Sequence, residues 1–415
     1  MNLKIAIVTQ YFYPEHFIIN DIVRELVRQG HTVEIFTGKP NYPDGIIYDG
    51  YSAKGCTNEI WEDGVKLHRV PMRPRLTGGA KNLALNYLSF LFNGLFFFPG
   101  SLKKQSFDAI IVYGVSPITA AVPAILMKFL TRAHLFVWVQ DLWPESLKAT
   151  GFIKNSMTLR LVGLLVKGIY AFADTILVQS KAFVTPVMKY AKANKIFYYP
   201  NSYRKPTTVE VSESGLPSDF IDLLERNFCV VFAGNLGHAQ SLDTLIDAAI
   251  RLKHLSELKI VIVGSGSRLR WLQDQKKQLN LDNVILPGRF PASAMDEIFE
   301  KSKGLLVTLT RDEIFSYTVP SKVQAYMAAG RPLLAALDGE GARVIEESGA
   351  GLCSRAEDAA SLAQNIEVLY NRSPEERDIM GEAGFRYFSE HFEMQGQCQR
   401  LVEIIKKRIA DQETH

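Results

Sequence analysis

A short apolar run rich in branched side chains, GLLVTLT from Gly304 to Thr310, precedes TVPSKVQAYMAAGRP from Thr318 to Pro332, and LLAAL from Leu333 to Leu337 follows directly. The two apolar runs are too short for buried helices and read as strands, while the segment between them carries a helix from about Lys322 to Ala329. Pro320 and Ser321 offer a turn and an N-cap before that helix, Gly330 ends it, and Pro332 restarts the chain toward the second strand. Strand, polar loop, helix and strand in this order make one unit of an open parallel sheet. The loop of such a unit sits at the carboxyl edge of the strands, where ligands bind, and the helix start turns unpaired backbone N–H groups toward an anion. A phosphate-bearing ligand is the first expectation for this edge.

The 415 residues, 47% of them hydrophobic, are too many for one ordinary core and predict about two to three domains. Lys and Arg number 47 against 44 Asp and Glu, so the formal charge is only +3, which argues against a dedicated nucleic-acid binder. Cys56, Cys229, Cys353 and Cys398 lie far apart without paired metal-ligand spacing, so buried thiols in a reducing compartment are expected. The opening MNLKIAIVTQYFYP has an apolar run too brief for a secretory leader and no small-residue cleavage site. It reads as the first strand of a cytosolic protein.

Leu3 to Thr9 is that strand, Ile18 to Gln29 an amphipathic helix through Ile22, Val23, Leu26 and Val27, and His31 to Thr37 the next strand. The loop Gln10 to Asn20 carries Tyr11, Tyr13, Glu15, His16 and Asn20 but no glycine, so a dinucleotide fingerprint is disfavoured. Lys39 to Gly64 is a long connection of the kind that borders binding clefts, and Lys66 to Val70 a short strand. Leu83 to Leu102, LALNYLSFLFNGLFFFPGSL, is strongly apolar and aromatic, with Arg69, Arg73, Arg75 and Lys81 before it and Lys103 and Lys104 after it. Its unbroken apolar run is shorter than a spanning helix requires. Two readings stay open: a buried core helix, or a surface sunk partly into a membrane interface and held by the flanking cations. Strands Asp108 to Tyr113 and His134 to Val139 follow, and the second runs into QDLWPE. Asp141 there either serves the carboxyl edge or caps the next turn, with Glu145 just beyond.

Arg204 to Ser218 mixes Pro, Ser, Thr and Gly without an apolar period and reads as a linker. It separates an N-terminal α/β domain over 1–203 from a second over 219–378. Helices over 379–415 have no strand beside them and are expected to cross back to the first domain. In the second domain Phe228 to Ala233 ends at Gly234 and Asn235, and Leu258 to Val263 ends at Gly264 and Ser265. Glycines at equivalent strand ends serve phosphate contact or ordinary turns.

YFYPEHFIINDIVRELVRQGHTVEIFT, VWVQDLWPES, FAGNLGHAQSLDTLIDAA, IVIVGSGS and PSKVQAYMAAGRPLLAAL, in this order and spacing, resemble glycosyltransferase family 4. The likeness covers essentially the whole chain and is strongest to the branch that builds bacterial O-antigen, colanic acid and capsule repeats. It implies an α/β protein of two facing Rossmann-like domains (GT-B type) with a C-terminal helix on the first. The first domain would grip the acceptor and the second a nucleotide-sugar donor, with no required metal or other cofactor. It further implies retaining transfer of a deoxy or N-acetylated amino sugar from a UDP-linked donor to a lipid-linked saccharide at the cytoplasmic face of the inner membrane.

Residue by residue, the resemblance puts Asp141 at the acid-bearing position facing the transferred sugar, with Glu145 behind it and Glu15, His16 and Asn20 on the acceptor side. Asn235 stands where many relatives keep an arginine for the donor diphosphate and Gln240 near their lysine, so both charges are missing. Ala325 replaces a ribose-contacting glutamate, and Glu313 is only a loose match to its companion.

A departing nucleoside diphosphate needs fixed donors and positive charge. Lys322 and the N–H groups beside Ser321, with Arg289 and Arg311, can supply them, although each cation could also be a solvated surface charge. Glu340 either holds sugar or ribose hydroxyls or serves as helix-start charge. His16 and His238 are isolated histidines without metal spacing. No carboxylate is a convincing nucleophile of the kind retaining hydrolases use, and the likeness implies front-face attack instead. A sugar-nucleotide epimerase of the same architecture and a sugar-nucleotide binding protein are the rival readings.

Overall fold

The computed structural model describes residues 2–76, 79–102, 105–149, 151, 153, 155–205 and 215–413. Lys103, Lys104 and the linker residues 206–214 lie outside them. Two compact units form, one from Met1–Asn201 with Met394–His415 and one from Ser202–Glu393.

The first unit runs through β1 (Lys4–Val8), α1 (Ile18–Arg28), β2 (Thr32–Gly38), β3 (Thr57–Trp61), β4 (Val65–Val70), α2 (Ala80–Ser101), β5 (Ala109–Gly114) and α3 (Ala121–Thr131). It continues with β6 (His134–Val139), α4 (Glu145–Ala149), α5 (Ser156–Phe172), β7 (Thr175–Val178), α6 (Val184–Met188) and β8 (Ile196–Tyr198). The strands lie in the order β3-β4-β2-β1-β5-β6-β7-β8, parallel except that β3 runs antiparallel to β4. AIIVYG of β5 and HLFVWV of β6 are buried at every residue, which is why they read as continuous apolar runs. β3 was hidden inside the long connection expected over Lys39 to Gly64. It is an edge strand with Thr57, Asn58 and Ile60 exposed, so no apolar pattern marks it.

The segment Leu83 to Leu102 forms most of a helix with one buried face and one exposed apolar face. In α2, Asn86, Phe90, Gly94 and Phe98 recur every fourth residue and are buried, whereas Leu88, Phe92 and Phe96 on the opposite side are exposed. Asn86 ties the inner face down, accepting from Gln10 Nε2 at 2.8 Å and donating to the Arg73 carbonyl at 2.6 Å.

The second unit contains α7 (Ser218–Arg226), β9 (Phe228–Asn235), α8 (Leu242–Arg251), β10 (Leu258–Ser265), α9 (Leu269–Gln278), β11 (Val284–Gly288), α10 (Met295–Lys301) and β12 (Gly304–Thr308). Then follow α11 (Glu313–Ser316), α12 (Ser321–Ala328), β13 (Leu333–Ala336), α13 (Glu340–Ser348), β14 (Gly351–Ser354), α14 (Ala359–Asn371) and α15 (Pro374–His391). Its strands are all parallel in the order β11-β10-β9-β12-β13-β14. Helix α7 begins where the linker was expected to end and buries Phe220 and Leu224.

The final helix α16 (Met394–Glu413) packs with α1 over the first sheet, burying Met394, Cys398, Leu401 and Ile405 beside Ile19, Ile22 and Leu26. The return to the first unit, expected from 379, starts at Met394. Helix α15 stays behind because it packs on α12 and Phe388 and Phe392 belong to the second unit's core.

Candidate functional site

In the second unit the strand order reverses between β9 and β12, the place where an open α/β sheet leaves a crevice beyond its strand ends. A cavity of about 310 Å³ opens at the carboxyl ends of β9, β10 and β11. Gly234, Asn235, Gly264, Ser265 and Arg289, all singled out from sequence, line it together. Val263, Phe290 and Met295 complete the wall and were missed, since nothing distinguishes them from core residues in the sequence.

Gly264 pairs with Gly234 across β10 and β9. A β-carbon on Gly264 would fall 1.9 Å from the Gly234 carbonyl oxygen, and both residues hold positive φ, +146° and +141°. Only glycine allows two strand ends to approach so closely, and the result is bare backbone at the cavity wall. Arg289 is exposed there and makes no hydrogen bond or ion pair to a described residue.

Lys322 lies on the other side of Gly234, where a β-carbon would meet its Cε at 2.8 Å. Its Nζ donates to Gln240 Oε1 at 2.5 Å and sits 3.6 Å from the centre of the Phe232 ring. Burial without a carboxylate partner pushes its ammonium down to about 7. The cation missing at position 240 is thus brought to Gln240 by the start of α12. Ser321 is not the N-cap: Pro320 occupies that position without a side-chain bond, and Ser321 is the first helical residue, exposed.

The remaining candidates of this unit do not line the cavity. Arg311 donates to the Ala356 carbonyl at 2.7 Å and lies 3.8 Å from Asp338. Glu340 opens α13, buried, with both carboxylate oxygens held by Arg343 at 2.9 Å. Glu313 accepts from the Tyr317 hydroxyl at 2.6 Å. Ala325 is half-buried against the core. Among the described residues no group of three or more His, Cys, Asp or Glu could hold a metal ion.

In the first unit Asp141 follows β6 and is half-buried, its Oδ2 accepting from the Ser116 backbone N–H at 2.9 Å. Glu145 begins α4 with one oxygen 3.5 Å from Lys189 and the other buried without a described partner. Glu15 is buried and clamps two loops: Oε1 accepts from the N–H groups of Asn41 and Tyr42, each at 2.8 Å, and Oε2 from that of Phe12 at 3.1 Å. Burial raises its carboxyl to about 7 against the opposing pull of those three donors. Asn20, also buried, donates to the Glu15 carbonyl at 2.7 Å, whereas His16 is exposed. The structure adds a cluster that no motif announced: Tyr11 stacks on Phe17 at 5.4 Å, and the Arg75 guanidinium lies 5.7 Å from the Tyr11 ring centre and 5.2 Å from that of Tyr42.

Residues 219–387 match the family model for Glycosyl transferases group 1, and residues 17–201 match that for the Glycosyl transferase 4-like domain. WcaI of Escherichia coli K12, described as a colanic acid biosynthesis glycosyl transferase, is 23% identical over 320 residues, 75% of this chain and 76% of its own. WbjE of Pseudomonas aeruginosa, described as a glycosyltransferase, is 26% identical over 274 residues, 63% of this chain and 66% of its own. The Anabaena protein Alr3699/HepE, solved with UDP, with UDP and glucose and with UDP-glucose, aligns in its UDP complex with a TM-score of 0.70 at 16% identity, covering 98% of this chain and 100% of its own. With both halves matched by transferase models on a fold shared across nearly its full length, the chain is a GT-B glycosyltransferase related to the group 1 and 4-like families and to enzymes of bacterial polysaccharide biosynthesis.

Proposed function

We propose that the protein transfers a sugar from a uridine diphosphate donor to a lipid-linked saccharide, with retention, in the assembly of a bacterial surface polysaccharide such as O-antigen. The observation that carries this reading is the cavity at Gly234, Gly264 and Arg289, with the ammonium of Lys322 set behind Gly234. The donor diphosphate lies against the bare backbone of the two glycines beside Asn235 and Ser265, and Arg289 and Lys322 take up its charge. UDP and UDP-glucose bound by the Anabaena relative support uridine as the base. The family branch supports a deoxy or N-acetylated amino sugar.

The acceptor hydroxyl attacks the anomeric carbon on the face from which the diphosphate leaves. The bond from that carbon to the phosphate oxygen breaks, and the departing diphosphate takes the acceptor proton. Negative charge on the diphosphate grows toward the transition state, so Arg289 and Lys322 act there more strongly than on the bound donor. Asp141, with one oxygen fixed by Ser116, offers the other to a hydroxyl of the transferred sugar. His16 meets the acceptor, and Glu15 and Asn20 hold its loop in place. Leu83 to Leu102 rests on the cytoplasmic face of the inner membrane, where the lipid-linked acceptor resides.

The test is incubation of the purified protein with UDP-sugars and a polyprenyl-diphosphate saccharide, followed by proton NMR of the product anomeric centre. An α-linked product from an α-configured donor is expected. An inverted product would overturn retention, and free sugar released without acceptor transfer would favour the epimerase reading.

A further inference from the structure

Helices α2, α3 and α5 contain not one Asp or Glu. Lys81 in α2, Lys128 in α3, and Arg160 and Lys167 in α5 are their only charged residues, and Arg132 directly follows α3. Along the outer side of α5, Met157, Leu161, Leu164, Leu165 and Phe172 form one exposed stripe, with Leu164 65% exposed. On α2 the exposed stripe is Leu88, Phe92 and Phe96, the last 78% exposed. Helix α3 packs between α2 and α5 and presents Phe129, whose ring meets that of Phe172 at 5.8 Å. Isolated exposed apolar residues are ordinary, but two apolar stripes on α2 and α5, joined by the exposed Phe129 of α3, are not.

A pocket of about 460 Å³ adjoins α5, lined by Lys167, Met188, Lys189, Lys192 and Lys195. Lys195 is occupied by the carbonyls of Ala171 and Ala173, and Lys189 lies near Glu145. Lys167 and Lys192 are exposed and have no described hydrogen-bond or ion partner.

We infer that the whole outer layer of α2, α3 and α5 rests on an anionic bilayer, and that the lysine-lined pocket beside α5 takes a phospholipid phosphate. This rests on the membrane reading above and extends it from one helix to three. Charge selects the occupant. The acidic residues beside this face, Asp174 and Glu145, already face Lys128 at 2.6 Å and Lys189 at 3.5 Å, so two copies would set Lys81, Arg160 and Lys167 against one another, whereas an anionic lipid surface complements both the apolar stripes and the basic rim. The inner face of α2 is bonded to Gln10 and to the Arg73 carbonyl, so the helix lies along its unit with one side offered to lipid.

Vesicle flotation of the full chain tests this, with phosphatidylcholine alone and with phosphatidylglycerol added. Three exposed double variants are compared: Phe92→Ser with Phe96→Ser, Leu161→Ser with Leu164→Ser, and Lys167→Glu with Lys192→Glu. UDP-induced stabilisation, which none of them touches, reports that each variant is folded. Wild-type binding is expected to need phosphatidylglycerol. The α5 apolar variant should lose binding as fully as the α2 variant, and the lysine variant should lose about tenfold or more, the order expected for two cations at an anionic surface. If the α2 variant loses binding while both α5 variants bind like wild type, the three-helix surface is refuted and the one-helix reading stands. If wild type binds neither vesicle, both fall.

Discussion

The ammonium of Lys322 donates to the side-chain oxygen of Gln240 across 2.5 Å, joining residues 82 positions apart in the chain. That contact places a cation at the carboxyl end of β9, where Asn235 and Gln240 bring none of their own. It also leaves the cation half-buried and without a carboxylate, ready for an anion to complete its partners.

Nucleotide affinity is therefore expected to depend on pH. Burial lowers the Lys322 pKa from 10.5 to about 7, so in the free protein this site adds stability as pH rises from about 7 toward 10.5 and withholds it below. A bound diphosphate needs the cation, so binding takes up a proton wherever the free lysine is neutral. Between about pH 7 and 9 the Kd for UDP should rise by as much as about tenfold per unit, and Lys322→Met should flatten the profile. Calorimetry in buffers of different ionisation enthalpy measures the proton uptake directly.

Gly264→Ala should cost about 1–3 kcal/mol of stability, because the new methyl collides with backbone and the ends of β9 and β10 must part. Nucleotide binding should fall with it. Gly100→Ala is the control: nothing lies within 4 Å of that position, and alanine favours a helix. Urea unfolding of the two variants decides.

Arg289→Ala removes an exposed side chain with no described partner, so stability should stay within about 0.5 kcal/mol of wild type. UDP affinity should nonetheless drop by about tenfold or more, the value of one charge-assisted contact. Isothermal titration beside thermal unfolding separates the two effects.

Glu15→Gln puts an amide N–H₂, which cannot accept, where one carboxyl oxygen now accepts from the backbone, and should cost about 1–3 kcal/mol near pH 5. The Glu15 carboxyl is raised from 4.5 to about 7, so its contribution is fully present below about pH 4.5 and is lost as pH rises through 7. The advantage of wild type over the variant is therefore expected to shrink between pH 5 and 8, as followed by urea unfolding at each pH.

Much of the architecture was legible where burial leaves a pattern. His134 to Val139 is a strand over the expected residues because every position is buried and Gln140 and Asp141 end the run. Thr57 to Trp61 escaped because an edge strand needs no apolar alternation, and α7 because it follows the linker without a break. The glycines at 234 and 264 were legible as strand-end punctuation, but their contact with each other depends on the register of β9 and β10. The position of Lys322 beside Gln240 is tertiary in the same way: local sequence identifies a helix start, and only the packing of α12 against β9 aims its side chain. Glu15 and Asn20 carried polar chemistry that the structure spends on holding loops.

The most direct test is thermal unfolding of wild type and Lys322→Ala across a panel of nucleoside diphosphates. UDP should stabilise wild type above the others, by about 2.7 kcal/mol at a hundred times its Kd, and should stabilise Lys322→Ala much less at the same concentration. Equal stabilisation of both proteins by UDP, or none of the wild type by any nucleoside diphosphate, would contradict the donor site placed at Gly234, Gly264, Arg289 and Lys322.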